Sequence, residues 1–172
     1  MKIIKKKVSD QLKVDEDYSD YEKDDVIGVL GRVCQQIDEL DIARFDVIFF
    51  QKSDSLKKIK TDFLYDFSSI IIEIEDLICA MEDSDINSTK LYFYELGLTV
   101  FFEKQGSLVD YHILEDGQKE NLYSNSIKKS SLQTLLKKLL IDFAEILYTF
   151  FPESFRLFVQ NDYIVSSSVE SL

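Results

Sequence analysis

Carboxylates are the only reactive side chains in this sequence numerous enough to build a site by themselves: 32 Asp and Glu stand against 20 Lys and Arg, one His and two Cys. Two groups stand out by placement. Glu82, Asp83 and Asp85 crowd the end of an apolar helical pattern, where negative charge opposes the helix dipole. A position where a sequence accepts such a cost is a pointer to function. Glu115 and Asp116 precede Gly117 in an Asp-Gly hairpin signal. Together the five would make an acidic rim suited to a basic protein partner.

Other carboxylate chemistry is weakly motivated. A glycosidase needs two paired acids, but with 32 of them some pair is always close, so closeness says little. A hydrolase of the common kinds needs a nucleophile with a base, usually His. The single histidine, His112, falls on one strand face with Asp110, opposite Val109, Tyr111 and Ile113, and reads as a solvated strand residue. Zinc spacing, a phosphate loop, a dinucleotide fingerprint and a nucleophile elbow are all missing. Gly28 and Gly31 lie within a helical pattern, without the Lys or the preceding strand of a phosphate loop, and are read as a close-packing device. The acidic run from Asp15 to Asp25 has neither the glycine nor the twelfth-position Glu of an EF-hand. Cys34 and Cys79 sit in apolar helical patterns without CxxC spacing and read as reduced core residues. The expectation is a protein that is not an enzyme and uses no metal or cofactor.

A formal charge of −12 repels nucleic acid and anionic membrane at long range and favours a basic partner, or serves solubility alone. The opening MKIIKKKV lacks the apolar run of a signal peptide. The apolar run near the C-terminus is interrupted by Asp142 and Glu145, so a cytoplasmic location is expected. Hydrophobic residues make up 45% of the chain, which excludes wholesale disorder. Only three Ala and no Trp, beside abundant Ile, Lys, Phe and Tyr, fit an AT-rich bacterial or phage genome.

These acids must be positioned by the elements around Lys90 to Leu114. Tyr92, Tyr94, Leu96, Leu98, Val100 and Phe102 are apolar at every second position, which reads as one buried strand face. A two-residue hairpin or a one-residue bulge at Gly97 would exchange the faces, and no exchange is visible, so Gly97 is expected to bend a continuous strand. Fifteen residues at about 3.3 Å would span about 50 Å, so the strand must coil sharply or break at the glycine; the bend is the preferred reading. Leu91, Phe93 and Phe101 then face the other way, covered by a second helix or exposed. Gln105-Gly106 turns the chain into a second strand, and Asp116-Gly117 into a third around Lys119 to Tyr123. With one bent strand the two acidic groups share a rim; with a turn at Gly97 they lie at opposite ends.

Around this meander, Asp24 or Asp25 caps a helix carrying Val26, Val29, Leu30, Val33, Ile37 and Leu40. Phe45 to Phe50 is a strand expected beside the first half of the long one, and Leu56 to Ile59 is a brief strand. Thr61 or Asp62 caps a largely buried helix carrying Phe63, Phe67, Ile70, Ile71, Ile74, Leu77, Ile78 and Met81. After a polar loop at 121–131, Ser130 or Ser131 caps a helix carrying Leu132 to Phe150. Pro152 stops it and opens a short further helix, and Tyr163 to Val165 is a last short strand. The fold class expected is α+β, an antiparallel β-meander of a long bent strand plus hairpin packed against amphipathic helices. Residues 1–23 form an arm with a possible edge strand at Ile3 and Ile4, 24–165 one domain, and 166–172 a frayed tail.

The FLYDFSSIIIEIEDLICAMED helix, the LYFYELGLTVFFEKQG and VDYHILEDG strands and the LLKKLLIDFAEILYTFFPESF helix together resemble, in organisation, the small acidic immunity proteins of bacterial polymorphic toxin systems. The resemblance implies a non-enzymatic protein that binds one cognate toxin and blocks its active site. It carries no functional residue over. The alternative suggested by charge is an acidic nucleic-acid mimic from a phage or mobile element, inhibiting a host DNA-binding protein.

Overall fold

A computed structural model of the chain describes residues 1–6, 12, 14, 16–17, 25–50, 56–61, 63–118 and 123–160. The fold is α+β, with helices packed against two antiparallel sheets. In the first sheet β1 (Lys2–Lys5) pairs with β2 (Ala43–Phe50), which pairs with β3 (Leu56–Thr61). The second is a four-stranded meander of β4 (Ser88–Phe93), β5 (Leu98–Gln105), β6 (Leu108–Glu115) and β7 (Tyr123–Lys128). The helices are α1 (Val26–Glu39), α2 (Ser68–Glu82), α3 (Lys129–Phe150) and α4 (Pro152–Gln160). A π-helical turn, Phe63–Phe67, leads into α2.

The expected long bent strand is two strands. Phe93 pairs with Leu98 and Ser88 with Glu103, so the chain reverses through residues 94–97. Gly97 closes this four-residue loop at φ 56° and donates to the Tyr94 carbonyl at 3.3 Å. A positive φ costs glycine little. The faces do exchange across the turn, because Leu91 and Phe93 on β4 share the core with Leu98, Val100 and Phe102 on β5. The run LYFY is apolar on both parities, which hid the exchange. The phenol hydroxyl settles it: tyrosine keeps its polar end wet while Leu and Phe go inside. Phe101, on the opposite face, is half-buried and stacked on His112 at 4.9 Å. His112 and Asp110 do share that face, as their spacing indicates.

The core lies between the sheets and the helices. Phe67 is its joint, with its ring 4.9 Å from Phe45 on β2, 4.7 Å from Phe63 and 5.0 Å from Phe143 on α3. All four rings are buried. The 22-residue α3, about 33 Å long at 1.5 Å per residue, reaches β6 and β7 in one sheet and β1 in the other. FDVIFF therefore belongs to a separate sheet with β1 and β3, and does not extend the meander.

Helix ends are satisfied at long range more often than the sequence indicates. Asp25 caps α1 by accepting from the Gly28 amide, as expected. The segment entering α2 is capped by Asp38 of α1, whose carboxylate accepts from the Phe63 and Leu64 amides at 3.0 Å each, and Thr61 instead donates to the Phe45 carbonyl within the first sheet. Asp62 lies outside the described residues. Neither Ser130 nor Ser131 caps α3, which starts at Lys129 directly after β7 without a side-chain cap. The loop expected at 121–131 is thus mostly strand and helix, and the strand expected at 119–123 begins at Tyr123, with 119–122 outside the described residues. Gly31 has open space around it, so close packing does not explain it. Cys34 is buried as expected, but Cys79 is exposed, since its position falls outside the buried stripe of α2. The strand expected at Tyr163 to Val165 and the tail lie outside the described residues.

The N-terminal segment is tied to the C-terminal helix. Glu16 accepts from the Ser154 amide and hydroxyl at 3.0 Å each and from the Glu153 amide at 3.3 Å. This is an N-cap delivered from 137 residues away. Glu16→Ala is expected to lower unfolding stability by about 1 kcal/mol, the usual worth of a cap, read by urea denaturation. An unchanged midpoint would show that α4 caps itself.

Candidate functional site

The turn at 94–97 brings a set of side chains together at one end of the second sheet. Tyr92 and Tyr94 meet edge to face with ring centroids 4.4 Å apart. Tyr94 is 59% exposed. The Tyr92 hydroxyl donates to Asp116 Oδ2 at 2.5 Å, and the Asp116 amide donates to the Gly97 carbonyl at 2.8 Å. Two turns, 94–97 and the one entered at Asp116, are thereby fastened to each other. Glu95 and Glu115 stand exposed beside them.

A buried anchor holds the first turn. Asp66, fully buried in the π-helical turn, accepts from the Glu95 amide at 3.0 Å. Its neighbour Tyr65 is 56% exposed. One residue into β4, Glu73 of α2 accepts from the Tyr92 amide at 3.2 Å. That bond occupies an amide on the open edge of β4, which would otherwise invite pairing with another strand.

Two groups here titrate away from their ordinary values. The Asp116 carboxylate accepting its proton raises the Tyr92 phenol, which keeps that hydroxyl a donor. Burial raises the Glu73 carboxyl, partly offset by the Tyr92 amide. A carboxyl raised in the folded state contributes its full stability below its unfolded value near 4.5, and that contribution is lost as pH rises through the folded value. Glu73→Gln keeps an acceptor for the Tyr92 amide and removes the charge. Its melting temperature is expected to exceed that of the parent at pH 7, with the difference vanishing near pH 4. A lower melting temperature at pH 7 would mean that the ionised carboxylate is stabilising.

No protein-family model, curated protein or solved structure matches the chain. Function must therefore be argued from the site itself. Among the described residues, no helix is long and apolar enough to cross a membrane, and no group of three or more His, Cys, Asp or Glu is placed to hold a metal ion.

The five acids singled out in sequence do not form one rim. Glu115 and Asp116 belong to the platform just described, beside Leu98 at the start of β5. Glu82, Asp83 and Asp85 lie at the end of α2, which meets β5 at Lys104, six residues further along and about 20 Å away at 3.3 Å per residue. Lys104 donates to the Ala80 carbonyl at 3.0 Å and to the Asp83 carbonyl, placing a cation where the helix dipole calls for one. Glu82 accepts from Gln133 of α3 at 3.3 Å and lies 3.9 Å from Lys137. The Asp83 side chain accepts from the Asp85 amide at 2.7 Å. The acids at the end of α2 thus have structural partners, and the dipole cost read from sequence is offset by Lys104.

Sequence reasoning missed Tyr65, Asp66, Tyr92, Tyr94 and Glu95. The available signal was the hydroxyl. Two tyrosines alternating with Leu and Phe mark the wet face of a strand end, and the period-two count treated all four residues alike.

Proposed function

We propose that this chain is a non-enzymatic inhibitor of the immunity type, which binds one cognate basic protein toxin in the cytoplasm and blocks it. The observation that carries this reading is the platform at the paired turns, where the exposed Tyr94, packed on a partly buried Tyr92, adjoins Glu95, Glu115 and Asp116. Tyrosine supplies large contact area at small entropic cost and is enriched in the cores of protein interfaces. Carboxylates around it accelerate encounter with a basic surface and reject acidic ones. The net charge of −12 extends that steering to the whole molecule.

Mimicry of nucleic acid is the weaker reading. It calls for an uninterrupted row of carboxylates, whereas the open face of the second sheet interleaves Glu103 and Asp110 with Lys90 and Lys128.

Co-expression tests the proposal. The product of the adjacent gene is expected to arrest growth of a host cell when produced in its cytoplasm, and this chain to restore growth by forming a complex with it. An adjacent product without toxicity, or toxicity that this chain leaves unchanged, would overturn the reading.

A further inference from the structure

We infer that the platform at the paired turns is a receptor for an arginine side chain of the partner, an inference that rests on the inhibitor reading. The first ground is a group of acids at the paired turns without a basic partner among the described residues. Several acids elsewhere on the surface have a basic partner: Glu145 with Lys5, Asp41 with Lys6, Asp142 with Lys138, Glu153 with Arg156. Glu95, Glu115 and Asp116 have no ion pair among the described residues. No Lys or Arg occurs at 91–103 or 105–118. Asp116 accepts the Tyr92 proton on Oδ2, and among the described residues no donor bonds its Oδ1.

The second ground is the kind of surface between these carboxylates. Tyr94 stands edge to face with Tyr92 and more than half exposed, so aromatic surface is open to solvent beside the acids. An aromatic face attracts a cation through its quadrupole. A guanidinium is planar, weakly hydrated and five-fold donating, and can stack on a ring while its edge bonds a carboxylate. An ammonium offers only a strongly hydrated point charge. Arginine therefore fits both halves of the platform, and lysine only the charge.

The third ground is preorganisation. The loop that carries Tyr94 and Glu95 is held by Asp66 and by the Asp116 to Gly97 bond, so little ordering is required when a partner arrives.

The test is an amide NMR titration of the full chain with two peptides of equal length and charge, acetyl-(Gly-Arg)4-amide and acetyl-(Gly-Lys)4-amide, at matched ionic strength. Shifts are expected to concentrate at 92–97 and 115–117. The arginine peptide is expected to bind about fivefold or more tightly than the lysine peptide, and Tyr94→Ala to weaken it about fivefold or more. Tyr94 is 59% exposed, so its truncation should leave thermal unfolding unchanged. Glu95→Gln, which removes one charge without changing shape, serves as a second variant and is expected to weaken the arginine peptide as well. Equal affinity for the two peptides, absence of binding, shifts spread over all acidic residues or centred on Glu82 to Asp85, or variants that bind like the parent would each overturn the assignment. If the arginine peptide binds as expected but co-expression fails to protect cells, the receptor stands and the toxin reading falls. If co-expression protects and the peptide result is negative, the reverse holds.

Discussion

Phe67→Ala is expected to lower the free energy of unfolding by about 3–5 kcal/mol, the range for removing a fully buried aromatic ring. Phe67 has no exposed surface, and its ring lies within about 5 Å of Phe45, Phe63 and Phe143. Those three belong to β2, the π-helical turn and α3, so one side chain joins the first sheet to the helices over the second. The cavity would open where three elements meet, and none can close over it without separating from the others. A loss of this size is a large part of the 5–15 kcal/mol that holds an ordinary domain together. Urea denaturation would read it as a lower midpoint at unchanged slope. Phe67→Leu, which fills most of the same volume, should lose much less. A loss under about 1 kcal/mol for Phe67→Ala, far below the range for such deletions, would mean that the two sheets are not joined here.

Asp66→Ala is the second substitution with a large expected effect, about 1–3 kcal/mol for a buried hydrogen-bonded acceptor whose donor is left without it. The donor is the Glu95 amide, so the change acts directly on the loop that carries Tyr94 and Glu95. Hydrogen exchange at the Glu95 amide should therefore accelerate in Asp66→Ala more than exchange at amides in β5 and β6. Asp66→Asn retains an oxygen acceptor and should keep most of the protection. Binding of the arginine peptide should fall in Asp66→Ala although Asp66 is buried and cannot touch it. Unchanged exchange at Glu95 would mean that the loop is held by the Asp116 bond alone.

How far the fold was legible depended on whether local pattern and tertiary environment agreed. The 3.6-residue stripes of α1, α2 and α3 and the Asp25 cap were readable because one face of each is apolar and the other charged. The β4–β5 turn was not, because Leu91, Tyr92, Phe93 and Tyr94 offer apolar surface on both sides and parity cannot choose between them. Length carried the better information there: a strand spanning about 50 Å does not fit such a domain, and the chain breaks at Gly97 for that reason. Long-range caps were illegible in principle. Asp38 and Glu16 serve helices 25 and 137 residues away, and no local pattern marks them. The acidic rim failed with the bent strand it depended on. Glu115 and Asp116 kept their place in a candidate site, while Glu82, Asp83 and Asp85 have partners at the other end of β5.

The most direct measurement is the affinity of the proposed toxin partner for two variants of equal fold. One is Tyr94→Ala, which strips the exposed ring at the paired turns. The other is Glu82→Gln/Asp85→Asn, which removes charge at the far end of the sheet. Tenfold or greater weakening in the first with little change in the second is the result expected of a partner seated on the 94–97 and 116–117 turns. Weakening confined to the second would place the partner at the end of α2 and contradict the site described here.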